Sequence, residues 1–195
     1  MTGALLSDLT RDNVIDRLGD LFAAIMESSY LGEKVTIGEH MLQCAACARR
    51  DGAPDALVAA ALLHDVGYYV DPDPDNLNET VADKRHDRAA PRALEPFFPA
   101  AVTEPIGLHV DAKRYLCSVE PDYRDKLSEA SIHTMSLQGG MMEKDEAERF
   151  AAHPHCADAV RVRRWDEEGK APDANVPGFN RYRAMLAALV NAHTR

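Results

Sequence analysis

His64 and Asp65 stand side by side at the end of the run Ala59-Ala60-Ala61-Leu62-Leu63 and are followed by Val66-Gly67. That stretch is apolar enough to be a buried helix. Burying even an uncharged polar group without a partner costs roughly 2–7 kcal/mol, and a metal ion offsets that cost. Elsewhere the chain offers His40, His86, His109 and Asp166. Imidazole nitrogen and carboxylate oxygen suit iron, zinc and manganese. His40 lies in a segment fit for burial, with Met41, Leu42, Ala45 and Ala46. His109 ends the run Ile106-Gly107-Leu108, and Asp166 follows Trp165 at an expected helix end. His64 and Asp65, about 100° apart on a helix, straddle one face toward a common centre. His40, His64, Asp65 and Asp166 would hold one ion. His86 and His109 call for a second, with Asp65 placed to bridge. His133, His153, His155 and His193 fall in polar or terminal contexts and read as surface residues.

The elements that must position these groups read almost entirely as helix. Val14, Ile15, Leu18, Leu21, Phe22 and Ile25 form a stripe of spacing three and four over Asp12–Met26. Gly38–Arg50 follows and stops at Asp51-Gly52. Pro54 suits the first turn of a helix to about Val70 that is apolar nearly all round and therefore central. Asp71-Pro72-Asp73-Pro74-Asp75-Asn76 breaks the helix and delivers the chain to His86. Further helices are expected at Arg88–Phe97, Val102–Tyr115, Arg124–Leu137, Glu143–Ala151, His155–Trp165 and Asn180–His193. Strand alternation, hairpin dipeptides and internal repeats are missing. The expected fold is an all-α helical bundle.

With 195 residues the chain is long enough for one substantial core. Its 46% hydrophobic and 28% charged residues are ordinary for a globular protein. No apolar run reaches membrane-spanning length, so no membrane association is expected. Met1-Thr2-Gly3-Ala4-Leu5-Leu6-Ser7-Asp8 shows neither a basic region nor a long apolar one, so no secretory signal and a cytoplasmic location are expected. The net charge of −10 argues against nucleic acid, which needs a basic footprint. An anionic small molecule fits if a few cations converge locally. Cys44 and Cys47 form a lone CxxC within a helical pattern, with no second CxxC, and read as buried free thiols on a helix rather than a zinc or redox motif; Cys117 and Cys156 are the other two cysteines.

The His…His-Asp…Asp series resembles the HD-domain metalloproteins, many of them phosphohydrolases whose metals polarise a phosphoryl group and activate water. A smaller branch uses two irons and O₂, and the ligand series alone does not choose between them. Tyr30-Leu31-Gly32-Glu33, Leu63-His64-Asp65-Val66-Gly67, His109-Val110-Asp111-Ala112-Lys113-Arg114-Tyr115-Leu116, Leu137-Gln138-Gly139-Gly140-Met141 and Arg164-Trp165-Asp166-Glu167-Glu168-Gly169-Lys170 together resemble the HD-domain mixed-valence diiron oxygenases that cleave C–P bonds of hydroxyphosphonates. The resemblance runs from about Tyr30 to the C-terminus. It implies a single HD domain over 1–195, with 1–29 as an N-terminal helical extension.

The resemblance implies two irons, Fe(II) and Fe(III), held by His40, His64, Asp65, His86, His109 and Asp166, with O₂ as co-substrate. It implies that Tyr30 and Glu33 form a gate, the tyrosine holding an iron position until substrate displaces it. Lys113, four residues after His109, and Arg163, three before Asp166, share a face with those ligands and can meet a phosphonate, whose oxygens favour cationic donors. Ser131 matches a family position near the phosphonate. The amino-substrate enzyme carries histidine at the position of Tyr68 and alanine at that of Asp111. An aromatic face and a carboxylate suit a quaternary ammonium, which has no N–H to donate. The implied reaction is oxidative C–P cleavage of a 1-hydroxy-2-(trimethylammonio)ethylphosphonate to phosphate and glycine betaine, or of the 2-amino analogue to glycine, after a hydroxylase that makes the 1-hydroxy substrate. The alternative is a metal-dependent phosphohydrolase of a nucleotide or phosphomonoester.

Overall fold

The computed structural model describes Leu6 and residues 8–28, 33–70 and 86–193. Among these residues there are α-helices and short 3-10 turns and no strand. The helices are α1 (Val14–Ile25), α2 (Ile37–Arg50), α3 (Asp55–Leu63), α4 (His86–Leu94), α5 (Ala100–Val119), α6 (Glu129–Leu137), α7 (Lys144–Ala151), α8 (Cys156–Glu168) and α9 (Arg183–Ala192). The all-α expectation therefore holds. No described helix is long and apolar enough to cross a membrane.

Helix α3 is the axis of the bundle. Every side chain from Leu57 to Leu63 is buried, and α2, α5, α8 and α9 pack around it. The main core joins Leu18, Leu21, Phe22 and Ile25 of α1 to Met41, Leu62, Leu94, Ile106, Trp165 and Leu186. Burial of such side chains, at about 1.5–3 kcal/mol each, is what holds the helices in place around the polar centre.

Two expected helices are interrupted. The one expected to run to Val70 ends at Leu63: His64 is its C-cap, and Asp65 leaves the helical region at φ −101°, ψ 6° before a 3-10 turn over Val66–Tyr69. The one expected from Arg124 to Leu137 divides into a 3-10 turn (Arg124–Lys126) and α6, because Leu127 is extended and the Ser128 hydroxyl accepts the Ser131 N–H as an N-cap. Conversely, α5 and α8 run past their expected ends, to Val119 and Glu168. Asp166 thus lies inside its helix.

Candidate metal centre and anion pocket

Each ligand-type side chain is aimed by its own local structure. Thr36 starts α2 with a capping box: its hydroxyl accepts the Glu39 N–H (3.2 Å) while Glu39 accepts the Thr36 N–H (2.8 Å). His40 then falls one turn into the helix, fully buried. His64 and Asp65 sit where α3 ends, so the break in the helix turns both side chains to one centre. Gly67, in the following turn, passes beneath the start of α4, where a Cβ would lie 1.9 Å from the His86 carbonyl oxygen. Only a residue without a side chain lets His86 come this close. His109 projects from the middle of α5.

Helix α8 is clamped to α2. Trp165 Nε1 donates to Asp51 Oδ2 (2.8 Å), Arg50 pairs with Glu168 (Nη2–Oε2 2.9 Å), and the Gln43 amide closes two hydrogen bonds of 3.0 Å with the backbone of Ala171. These contacts press Asp166 and Gly169 against His40. A Cβ on Gly169 would lie 2.5 Å from Cys44 Sγ.

The result is two groups of ligand atoms that share one carboxylate. His40 Nε2 lies 3.2 Å from His64 Nε2 and 3.3 Å from Asp166 Oδ1, and Asp65 Oδ2 is 3.4 Å from His64 Nε2. On the other side Asp65 Oδ1 is 3.6 Å from both His86 Nε2 and His109 Nε2, which are 3.2 Å apart. Ligand atoms each about 2.0–2.2 Å from one ion lie about 2.8–3.6 Å from their neighbours, so these spacings fit two ions with Asp65 between them.

The second nitrogens support that fit. The Nδ1 atoms of His40, His64 and His109 face the carbonyl oxygens of Gly169 (2.9 Å), Ala61 (2.9 Å) and Ile106 (2.6 Å). Each ring therefore carries its proton on Nδ1 and turns the Nε2 lone pair inward. Asp166 Oδ2 accepts from Arg163, whereas Oδ1 is buried and makes no hydrogen bond, a costly state for a carboxylate oxygen unless a cation takes it.

Electrostatics favour the ligand form at His64, His109 and Asp65, whereas at His40 Cys44 and Asp166 outweigh burial and favour the protonated ring, which a bound cation would have to displace. Burial, reinforced by His86 and His64, pushes His109 down to about 3. Burial would raise Asp65, yet the His64, His86 and His109 imidazoles outweigh it and hold the carboxyl at about 2. Cys44 also lies near this centre, but its sulfur is almost equidistant from both His40 ring nitrogens (3.8 and 3.7 Å). It sits beside the ring and off the line of the Nε2 lone pair. Cys44, Cys47, Cys117 and Cys156 are free thiols, with Cys47 and Cys156 only half-buried.

A narrow cavity opens on the centre. Lys113, Ser131, Arg163, Glu33 and Tyr68 all line it. Lys113 and Arg163 are each 3% exposed, as the shared-face spacing requires. Lys113 donates to Thr134 Oγ1 (2.9 Å). Arg163 donates to Tyr123 Oη (3.0 Å), Ser131 Oγ (3.4 Å), Asp166 and Glu167, so it braces a ligand as well as facing the cavity. Tyr68 stacks on His86 with ring centroids 4.2 Å apart and planes 11° apart. One of its faces is thereby spent on holding that imidazole.

One expected contact fails. The Asp111 carboxylate is 43% exposed, pairs with Arg114 (2.9 Å), and belongs to a separate outer pocket with Asp87 and Arg88. Two residues beyond His109, it lies about 200° round the helix. Tyr30, the other half of the expected gate with Glu33, falls outside the described residues. A cation not assigned from sequence takes a place instead: Lys170 lines the cavity, with Nζ 3.0 Å from Ser131 Oγ and 3.4 Å from Glu33 Oε1. Among the described lining side chains, Asp65, Asp166 and Glu33 are thus balanced by Lys113, Arg163 and Lys170. Any bound metal ion makes the pocket positive, which suits an anion.

Comparison with known proteins matches this chemistry. The chain is similar to the 1-hydroxy-2-(trimethylamino)ethylphosphonate dioxygenase (glycine-betaine-forming) of Leisingera caerulea, at 38% identity over 188 residues covering 96% of each protein. It is similar to the hydroxymethylphosphonate dioxygenase of Gimesia maris, at 42% identity over 178 residues, 90% of this chain and 89% of the relative. No family model matches the chain.

Proposed function

The chain belongs to the family of phosphonate dioxygenases, and from that membership we propose that it is a diiron enzyme cleaving the C–P bond of 1-hydroxy-2-(trimethylammonio)ethylphosphonate. The substrate and O₂ together supply all the atoms of the products, glycine betaine and phosphate, with release of one proton. The observation that carries the reading is Asp65, whose two oxygens face two different histidine pairs beside a cavity with buried cations.

In this reading His40, His64, Asp65 and Asp166 hold one iron, and Asp65, His86 and His109 the other. The irons supply the electrons that activate O₂ and a Lewis-acidic anchor for the substrate's oxygens. The chain does the rest. Lys113 and Arg163 grip the phosphonate, each charge-assisted hydrogen bond contributing about 1.5–3 kcal/mol. Ser131 adds a hydroxyl donor. Val110 and Ala130, also in the cavity wall, keep water from the C1 position. Tyr68 fixes the plane of His86, and Glu33 supplies negative charge at the mouth for the ammonium. A hydroxylase acting on the parent phosphonate would supply the 1-hydroxy substrate.

The placement of Asp111 favours a second reading within the same chemistry. Without that carboxylate Glu33 is the acidic side chain of the described cavity lining that stands apart from the candidate metal ligands, and the Gimesia maris relative is named for hydroxymethylphosphonate, which has no cation. Offering the trimethylammonio, amino and hydroxymethyl substrates in one aerobic vessel, with glycine betaine, glycine and formate quantified, ranks them. Glycine betaine in excess, with one O₂ consumed per phosphate and a mixed-valence EPR signal that changes on adding substrate, is the expected result. Phosphate release under strict anaerobiosis would overturn the oxygenase reading in favour of hydrolysis.

A further inference from the structure

Resting on the phosphonate-dioxygenase reading, we infer that Lys170 is a third substrate-binding cation, held by Glu33 in the resting site and handed to the phosphonate when it binds. Its backbone is pinned on both sides. The Gly169 carbonyl faces His40 Nδ1 and the Gly169 N–H donates to Trp165 O (2.8 Å), while Ala171 is paired through both its N–H and its C=O with Gln43. The strut that orients a metal ligand therefore also fixes where the Lys170 side chain starts. That side chain is only 11% exposed and reaches into the cavity rather than into solvent.

The three directions of its ammonium group lead to Ser131 Oγ (3.0 Å), Glu33 Oε1 (3.4 Å) and Glu167 Oε1 (3.5 Å). Arg163 shares two of these partners, Ser131 and Glu167. Lys170 and Arg163 thus converge on one hydroxyl from two sides, and an anion that accepts the Ser131 proton lies within reach of both. Glu33 is the partner that Lys170 can give up. It is half-buried and also accepts the Ser128 hydroxyl at 2.6 Å, so its carboxylate stays hydrogen-bonded when the ammonium turns away. Glu167 keeps Arg163. The ammonium passes from one anion to another, and the Glu33 carboxylate left behind keeps the Ser128 hydroxyl and its partial exposure, which limits the cost of parting the pair. Glu33 and the incoming phosphonate then compete for one ammonium, and arrival of the anion releases Glu33.

The test is calorimetric titration of the metal-loaded protein with methylphosphonate, which has the anion and lacks both the hydroxyl and the cation. Lys170→Ala is expected to weaken binding about tenfold or more, and Lys170→Arg to restore most of it. Glu33→Gln is expected to tighten binding by removing the competitor, and this gain should vanish in the Lys170→Ala background, a coupling that a merely structural lysine does not produce. If Lys170→Ala does not fold, Lys170→Gln takes its place in the cycle. Equal affinity of the wild type and the Lys170 variants, or a Glu33→Gln gain that persists without the lysine, overturns the assignment. Turnover in the same preparations separates the two levels. Absence of O₂-dependent phosphate release from the wild type condemns the reading above, whereas turnover with uniform affinities condemns only the role of Lys170.

Discussion

Gly67→Ala should empty one metal position and leave the other filled. A Cβ at residue 67 would lie 1.9 Å from the carbonyl oxygen and 2.9 Å from the Cα of His86. Both are backbone atoms, so no rotamer change relieves the clash. To go from 1.9 to the 3.4 Å of ordinary contact, the start of α4 must retreat by about 1.5 Å, against a tolerance of about 0.2 Å in metal–ligand distance. His86 is thereby withdrawn from the group it forms with His109 and Asp65 Oδ1. His40, His64 and Asp166 stand on α2, α3 and α8, which the clash does not touch. Overpacking costs about 1–3 kcal/mol, or roughly 2–12 °C in Tm for a chain of this size, so the protein should stay folded. On the diiron reading, metal analysis should find one iron per chain in place of two. The coupled EPR signal should be lost, and turnover should fall at least about 100-fold, as misplacement by 1 Å already does. Gly178→Ala is the control, since its Cβ would meet no atom within 4 Å. Two irons bound to Gly67→Ala with unchanged spectroscopy would refute the idea that this glycine seats His86.

Gly169→Ala should act on the other position, because its Cβ would lie 2.5 Å from Cys44 Sγ and 3.0 Å from Cys44 N; metal analysis should show the His40 group weakened while the His86–His109 pair persists. Lys113→Ala should raise KM by about 10- to 150-fold with both metals retained, as steady-state kinetics and metal content will show. Arg163→Ala should differ in kind: because Arg163 also holds Asp166, it should lower metal affinity by about 10- to 100-fold as well as raise KM, which chelator competition measures. Asp111→Ala should leave kcat/KM for the trimethylammonio substrate within about twofold, since the side chain pairs with Arg114 outside the cavity.

How much of this was legible in the sequence depends on what each residue's type and spacing encode. The six ligand-type residues could be found because His64-Asp65 ends an apolar run where an unpaired imidazole and carboxylate have no business, and all six do converge. The helix break at Asp65 was not legible: nothing in Leu63-His64-Asp65-Val66-Gly67 forbids continued helix, and Gly67 reveals its purpose only when the chain returns with His86 above it. Ser128 was missed as an N-cap because the preceding Arg124–Lys126 also reads as helix. The bracing of Asp166 by Arg163 was out of reach as well, since spacing puts the two on one face without saying that they pair.

The residues facing the cavity show where helical spacing succeeds and where it was left unapplied. Four residues after His109 gives Lys113 and three before Asp166 gives Arg163, and both point into the cavity. The same step of four from Asp166 gives Lys170, but it follows Gly169, past the end of α8, where side chains usually meet solvent. Gln43 overrides that expectation by gripping Ala171 and fixing the backbone just past the helix end. The step of two from His109 to Asp111 argued against a shared face from the start, and the structure turns that carboxylate to Arg114. A chain of net charge −10 thus gathers Lys113, Arg163 and Lys170 at one cavity by placing each on the ligand face of its helix or just beyond it. The same helical turn that presents a candidate metal ligand presents a cation to the cavity.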